Sequence, residues 1–355
     1  MIAKVLVLLQ EKKYALVKQA VLEMNAVDIA EVFAELHELE APQTSLRLFR
    51  LMPKELAAET FSYMESDVQQ SIIEAISDNE LRFILDDMYM DDYVDLIEEM
   101  PANVVKRLLA NSSDENRKLI NEYLQYPEDS AGSIMTNEYV YFRRNVTVRE
   151  AFDIIRKTGV DKETIYTCYV ISTERKLEGV VTVRELLLAD PNAAVDTLMS
   201  TNVIHAHTLD DKEEIAKLFS RYDMLSLPVV DKEERLVGII TIDDAVDVMQ
   251  EANTEDFEMM AGIAHSDDTY LKMPVVSLAK NRIIWLLVLM FSAMITGAML
   301  EHYEAAIATL PLLVSFIPML MDTGGNCGSQ ASTMIIPGMA LDEIEPSDFL
   351  RVWWK

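Results

Sequence analysis

Leu236–Thr241, LVGIIT, is a second copy of Leu177–Thr182, LEGVVT. Each is an apolar, β-branched run with glycine third and threonine last. Each leads into a helical pattern, at Arg184 in the first copy and at Asp243 in the second. Upstream the order also repeats. The first copy has Met135-Thr136, a helical pattern near Val148–Lys157 and then TIYTCYVIS from Thr164. The second has Met199-Ser200, a helical pattern near Lys212–Arg221 and then LSLPVVD from Leu225. Short β-branched runs bounded by turn residues read as buried strands. Residues 130–250 are therefore expected to hold two similar α/β modules, with a repeat of about 60 residues.

Before this pair, residues 1–129 read as helical throughout. Leu, Ile, Val, Met and Phe recur at three- and four-residue spacing between Glu, Lys and Gln. From Pro53 onward, breaks at Ser66-Asp67, Ser77-Asp78, Met90-Asp91 and Pro101 recur roughly every twelve residues, each a helix-capping or first-turn signal. Helices that short cannot bury their own apolar faces, so the row is expected to stack as a superhelix. The opening MIAKVLVLLQEKK has no small-residue cleavage site and reads as a first helix, not a signal peptide.

After the pair, residues 251–280 form a connector with a helical pattern to about Ala264. Ile283–Leu300 then carries no charge, which is long enough for a membrane span. Lys280 and Arg282 precede it; Glu301, His302 and Glu304 follow it; Arg351 and Lys355 close the chain. By the positive-inside rule residues 1–280 and the C-terminus lie in the cytoplasm. A second apolar run, Ala305–Leu341, contains Asp322 as its one charge. An Asp at mid-membrane costs roughly 2.5–3.5 kcal/mol and normally faces a pathway or a partner. Asp322, Gly325, Asn326, Gly328 and Gln330, in PMLMDTGGNCGSQAST from Pro318, are the candidates for lining a hydrated cation path. Gly, Ser and Thr also mark helix-packing faces in membranes.

The whole chain has 355 residues, 60 Asp and Glu against 31 Lys and Arg, and a net charge of −29. Phosphate backbones are bound by clustered Lys and Arg, so a nucleic-acid partner is not expected. Hard cations take oxygen ligands, which this composition supplies. The 2 cysteines, Cys168 and Cys327, give no disulfide framework. His205 and His207, two apart, would share one face wherever the chain is extended, a spacing more common on a surface or in a core than in a metal site. No nucleophile motif, phosphate loop or catalytic triad appears, so an enzyme is not expected.

The two glycine-containing strand motifs in register resemble a tandem CBS domain pair. An acidic helical domain, a CBS pair, a connecting helix and a membrane segment with PxLxDTGGNxGxQ together resemble the MgtE family of magnesium channels and transporters. The resemblance covers essentially the whole chain. It implies a multidomain α + α/β protein with membrane helices: helical superhelix (1–129), CBS pair (130–250), connecting or "plug" helix (251–280) and a partial transmembrane domain (281–355). Two transmembrane helices are expected where the family has five, so the chain reads as a fragment lacking the remaining helices and the family's pore carboxylate. The resemblance further implies a homodimer in the cell membrane, multi-pass, surrounded by lipid. It implies a channel that admits Mg²⁺ and closes when Mg²⁺ bridges acidic interfaces. The carboxylates it marks are Asp91, Asp95, Asp211, Glu213, Asp223, Asp244, Asp247, Glu255 and Asp256. Carboxylates three or four apart on a helix repel by a few tenths of a kcal/mol, which a bridging cation relieves. Asp86-Asp87 and Asp267-Asp268 are read as solvated helix faces.

CBS pairs also take adenine nucleotides. Arg184 and Glu185 are the candidates to hold ATP here, with Thr167 where an aromatic would stack on the base. The competing function is a membrane-anchored CBS nucleotide sensor that regulates a partner protein.

Overall fold

The computed structural model describes residues 1–266, 273–309, 312–340 and 344–354. It divides into two compact units, residues 1–246 and 247–355.

The first unit begins with ten helices. They are α1 (Ile2–Gln10), α2 (Tyr14–Val21), α3 (Ala26–Glu38), α4 (Pro42–Leu51), α5 (Lys54–Ser62), α6 (Ser66–Ala75), α7 (Asp78–Asp87), α8 (Met90–Glu99), α9 (Ala102–Asn111) and α10 (Asp114–Tyr123). The breaks read in the sequence fall at helix starts. Ser77 caps α7 through a capping box with Glu80, and Ser113 caps α10. Pro53 and Pro101 stand at the N-caps of α5 and α9. Each helix buries one apolar stripe, with Phe33, Phe61, Leu81, Tyr93 and Leu108 wholly enclosed. That row of stripes forms a continuous core no single helix could supply. Arg107 ties α9 to the end of α6 and the start of α7, skipping α8. It donates to the Ile76 carbonyl at 2.7 Å and to Asp78 at 2.8 Å, and also to the Ile73 carbonyl.

Two three-stranded modules follow. The first has β1 (Tyr139–Arg143), α11 (Val148–Thr158), β2 (Thr164–Ile171), β3 (Leu177–Thr182) and α12 (Val183–Leu188). The second has β4 (Ala206–His207), α13 (Lys212–Tyr222), β5 (Ser226–Val230), β6 (Leu236–Thr241) and α14 (Ile242–Met260). In both, the first strand runs parallel and the last antiparallel to the middle one. β1 and the two-residue β4 are additions to the sequence reading, which placed no strand there.

The modules exchange their lead-in segments. Thr136, ahead of the first, bridges to Ile239 on β6, and Ser200, ahead of the second, bridges to Val180 on β3. This explains the glycine in each motif. A Cβ on Gly238 would lie 2.7 Å from the Met135 sulfur and 2.9 Å from the Thr136 carbonyl. One on Gly179 would meet Met199 at 2.7 Å and the Ser200 carbonyl at 2.9 Å. Tyr139, Tyr169, Ile171, Leu236 and Ile239 pack together across the two modules.

The helix expected in the connector is the second half of α14, which runs unbroken to Met260. In the second unit the chain then turns at Gly262 (φ +66°) against Trp285. The Ala264 amide donates to the Asn281 carbonyl at 3.1 Å. The helices α15 (Val275–His302), α16 (Glu304–Thr309), α17 (Leu312–Ala340) and α18 (Phe349–Trp354) complete the unit. Among the described residues, α15 is the one helix long and apolar enough to cross a membrane. Its 28 residues span about 42 Å against about 30 Å of hydrocarbon. None of its side chains is buried, so it offers an apolar surface on every side. The expected second span, α17, is 29 residues long and stays helical through its glycine-rich motif. Its polar stretch lowers its apolarity below that of α15. The C-terminal helices thus fit a partial membrane region.

Candidate functional site: a carboxylate cluster and a polar helix stripe

A stripe of α8 along the edge of its buried face carries Asp91, Asp95 and Glu98, at positions i, i+4 and i+7, with Asp91 itself buried. α8 is held in place by Met90, Tyr93, Val94, Leu96 and Ile97 in the core and by Tyr93 bonding to Ser112. The α8 stripe meets the start of α14 and the segment before β2. Asp244 acts electrostatically on both Asp91 and Asp95; Asp92 acts on Asp95, on Glu163 and on Asp244; Asp243 acts on Glu163. Asp91, Asp92, Asp95, Glu163, Asp243 and Asp244 thus converge, and the charged neighbours that dominate their environment are other carboxylates.

Burial is the largest force raising the proton affinity of Asp91, Asp92, Asp95, Glu163 and Asp244, and like charge adds to it. Asp91, buried, is held well above the usual carboxylate range by desolvation and then by Asp244, Asp92 and Glu163. Asp95 is pushed up to about 7 by desolvation and then by Asp244 and Asp92, although it is an exposed residue at the cluster's rim. Glu163 rises to about 8 by desolvation and the charges of Asp243 and Asp244, and its Oε2 is buried without a hydrogen-bond partner. Asp244 rises to about 7 by desolvation, against the lowering effect of a hydrogen bond from Thr241. The Thr241 hydroxyl donates to Asp244 Oδ2 at 2.7 Å, which fixes that oxygen. Such an arrangement is satisfied by protons or by a cation with oxygen ligands.

The structure therefore brings together Asp91, Asp95 and Asp244 from the expected set. It adds Asp92, Glu163 and Asp243, which the sequence reading did not single out. Asp92 and Asp243 stand next to residues that were singled out. Glu163 lies far from both in the chain and only folding reveals it. Asp211, Glu213 and Asp223 do not form one site. Asp211 caps the start of α13, accepting from the amides of Glu213 and Glu214 at 2.9 and 3.2 Å. Asp223 ends α13 in the left-handed conformation (φ +50°). One helix length, roughly 18 Å, separates the two ends. Asp247 lies one turn beyond Asp244 on α14, and Glu255 and Asp256, both half-buried, lie further along the same helix. Asp86 and Asp87 are exposed at the end of α7. Asp267 and Asp268 fall outside the described residues.

Of the nucleotide candidates, Arg184 is exposed and Glu185 is engaged. Glu185 Oε2 accepts from the Thr182 amide at 2.8 Å and from its hydroxyl at 2.9 Å, a capping box at the start of α12. Thr167 pairs with Thr182 across β2 and β3. The exposed ring beside it is Tyr166, one residue from the position the sequence reading marked.

On α17, Asp322, Gly325, Asn326, Ser329 and Thr333 share one face by the helical repeat. Asn326 Nδ2 donates to Asp322 Oδ2 at 3.3 Å. Gln330 flanks this stripe. Gly328 does not join it. With Gly324 it occupies the opposite face, a four-residue small-residue spacing suited to close helix packing. A Cβ on either glycine would meet nothing within 4 Å among the described residues.

Comparison with known proteins follows the same division. Residues 24–129 match the profile of the MgtE intracellular N domain, residues 131–192 and 195–251 the CBS domain, and residues 317–355 the profile described as divalent cation transporter. The chain is 34% identical to the magnesium transporter MgtE of Thermus thermophilus, over 98% of this chain and 80% of that one. It is 30% identical to the magnesium transporter MgtE of Bacillus subtilis, over 100% of this chain and 77% of that one. Among solved structures, the cytosolic domain of the Mg²⁺ channel MgtE in complex with ATP is similar, at 33% identity and a TM-score of 0.65. That match covers 70% of this chain and 100% of that one. The soluble part of a magnesium transporter aligns at 28% identity with the same TM-score, over 71% of this chain and 97% of that one.

Proposed function

Since the chain belongs to the MgtE family of magnesium transporters, we propose that Mg²⁺ regulates its own passage through the carboxylate cluster of α8, Glu163 and α14. The chain is a membrane transport protein for Mg²⁺ and not an enzyme. The finer mechanism rests on one observation: six carboxylates from the helical domain and the CBS pair converge, with carboxylates as their dominant charged neighbours.

At low Mg²⁺ these groups repel and the two surfaces separate. At high Mg²⁺ the ion bridges them, using one or two carboxylates and keeping several waters. A ligand that binds one arrangement better shifts the population toward it by mass action. α14 begins at the cluster with Asp243 and Asp244 and carries Asp247, Glu255 and Asp256 along its length, so it is the element that transmits the change. In this reading residues 1–280 are cytoplasmic, the membrane domain is multi-pass and the working unit is a homodimer. The Asp322–Asn326 stripe of α17 lines part of the cation path.

ATP is proposed as a second ligand of the CBS pair, on the strength of the ATP complex of the structurally similar cytosolic domain. Arg184 would meet phosphate, the free oxygen of Glu185 the ribose and Tyr166 the base.

Limited proteolysis of the full chain in detergent tests the regulatory reading. Millimolar Mg²⁺ is expected to slow cleavage within residues 1–266, and chelation to restore it. Cleavage that ignores Mg²⁺ would overturn it.

A further inference from the structure

We propose that His205, His207 and Glu234 form a binding site for a transition-metal dication of the Zn²⁺ or Co²⁺ class, separate from the carboxylate cluster. One ligand atom from each lies within 4.8 Å of the other two. His207 Nε2 is 3.4 Å from Glu234 Oε1, and His205 Nε2 is 3.6 Å from Glu234 Oε2. Ligands about 2.0–2.1 Å from a tetrahedral ion lie about 3.3–3.4 Å from one another, so small side-chain rotations would close the site.

The outer contacts suit ligation. His205 Nδ1 lies 3.2 Å from the Val203 carbonyl, which fixes that nitrogen as the protonated one and turns the Nε2 lone pair toward Glu234. Asp210 stands behind His207 in the corresponding place, beyond hydrogen-bond distance of the ring. Its Oδ2 accepts from the His207 amide at 2.7 Å and lies 3.6 Å from His207 Nδ1. A carbonyl or carboxylate behind each metal-binding imidazole is the usual supporting arrangement. The rings stand 5.4 Å apart, since residues two apart face the same side at β4.

Glu234 is also held by its backbone. It sits in the left-handed region at φ +63°. Its amide donates to the Asp231 carbonyl at 3.0 Å, and its carbonyl accepts from Leu177 of the other module at 3.1 Å. Asp231 Oδ1 accepts from the amides on either side, Glu233 and Arg235, both at 2.9 Å.

The repeat supplies an internal comparison. The strand registers make Tyr141, Arg143 and Arg175 the counterparts of His205, His207 and Glu234. Arg175 shares the left-handed conformation, at φ +67°. The same backbone therefore carries two guanidinium groups in one module and two imidazoles with a carboxylate in the other. Two imidazoles select a borderline metal; hard Mg²⁺ favours all-oxygen sites. A metal here would clamp β4 to the β5–β6 turn, where the two modules cross.

The test titrates Co²⁺ into the tag-free full chain in detergent, with millimolar Mg²⁺ present to fill oxygen-only sites. Expected is a saturable visible absorption band of nitrogen-ligated Co²⁺ that Zn²⁺ abolishes. His205→Ala and His207→Ala each weaken binding by at least about tenfold, and Asp210→Asn weakens it by a smaller factor. Mg²⁺-dependent protease protection, read on the same samples, is unchanged. Absence of a saturable band under excess Mg²⁺, or a band that survives His205→Ala combined with His207→Ala, would overturn the proposal.

Discussion

Asp244 illustrates how a single carboxylate serves two purposes. One oxygen caps α14 through Thr241, while the cluster raises the group's proton affinity. Its equivalent in the first module, Glu185, is an exposed capping residue. Asp244→Asn keeps a cap acceptor and removes the charge. We expect Mg²⁺ to protect this variant against protease less effectively, shifting the half-maximal concentration upward by about tenfold if one direct ligand is lost. Asp86→Asn, at an exposed carboxylate outside the cluster, leaves the midpoint where it was. At this scale Asp91, Asp95 and Asp244 were legible through the family resemblance, which the helical spacing of acidic residues supported. Glu163 was not, since it precedes β2 in an unremarkable loop and acquires meaning only beside Asp243. Glu234 was hidden for the same reason: its partners His205 and His207 lie 27 or more residues upstream.

Among the elements, strands β2, β3, β5 and β6 and helices α11 and α13 follow directly from apolar periodicity, because each buries a face whose pattern the sequence must spell out. β1 and β4 escaped. β4 has two residues, too few to display alternation, and β1 contains Tyr141 and Arg143, whose exposure breaks the apolar run. The motif glycines were visible as a repeat, but their reason is a close approach by residues from the other module. Gly238→Ala and Gly179→Ala each force a Cβ against a backbone carbonyl at 2.9 Å. Each is expected to destabilise the first unit by about 1–3 kcal/mol, the usual cost of overpacking. The readout is the denaturant midpoint, with Gly159→Ala as a milder comparison. There the nearest atom is a side-chain methyl, which has more freedom to move.

For the molecule as a whole, the cluster links stability to pH and to divalent cations. Asp95, Asp244 and Glu163 hold protons up to about pH 7–8 when folded, and release them near pH 4 when unfolded. Between those limits the folded state binds more protons, so its stability falls as pH rises, and the loss is complete above the folded-state values. Without divalent cations, the melting temperature of the first unit in the full chain is expected to drop from about pH 5 to about pH 8.5. Saturating Mg²⁺ flattens that slope by replacing the protons. Thermal melts in chelator and in Mg²⁺ across this range make the comparison. A slope of opposite sign in chelator would contradict the assignment. The exchanged lead-in segments also bear on how the protein is made. Met135 and Thr136 leave the ribosome roughly a hundred residues before the Gly238–Ile239 strand that receives them. At about 5–20 residues per second they wait on the order of 5–20 s without their native partner. Met199 and Ser200, by contrast, emerge after β3 and find it ready. Synthesis from N- to C-terminus therefore completes the first module's sheet before the second exists, and closes the pair in one late step.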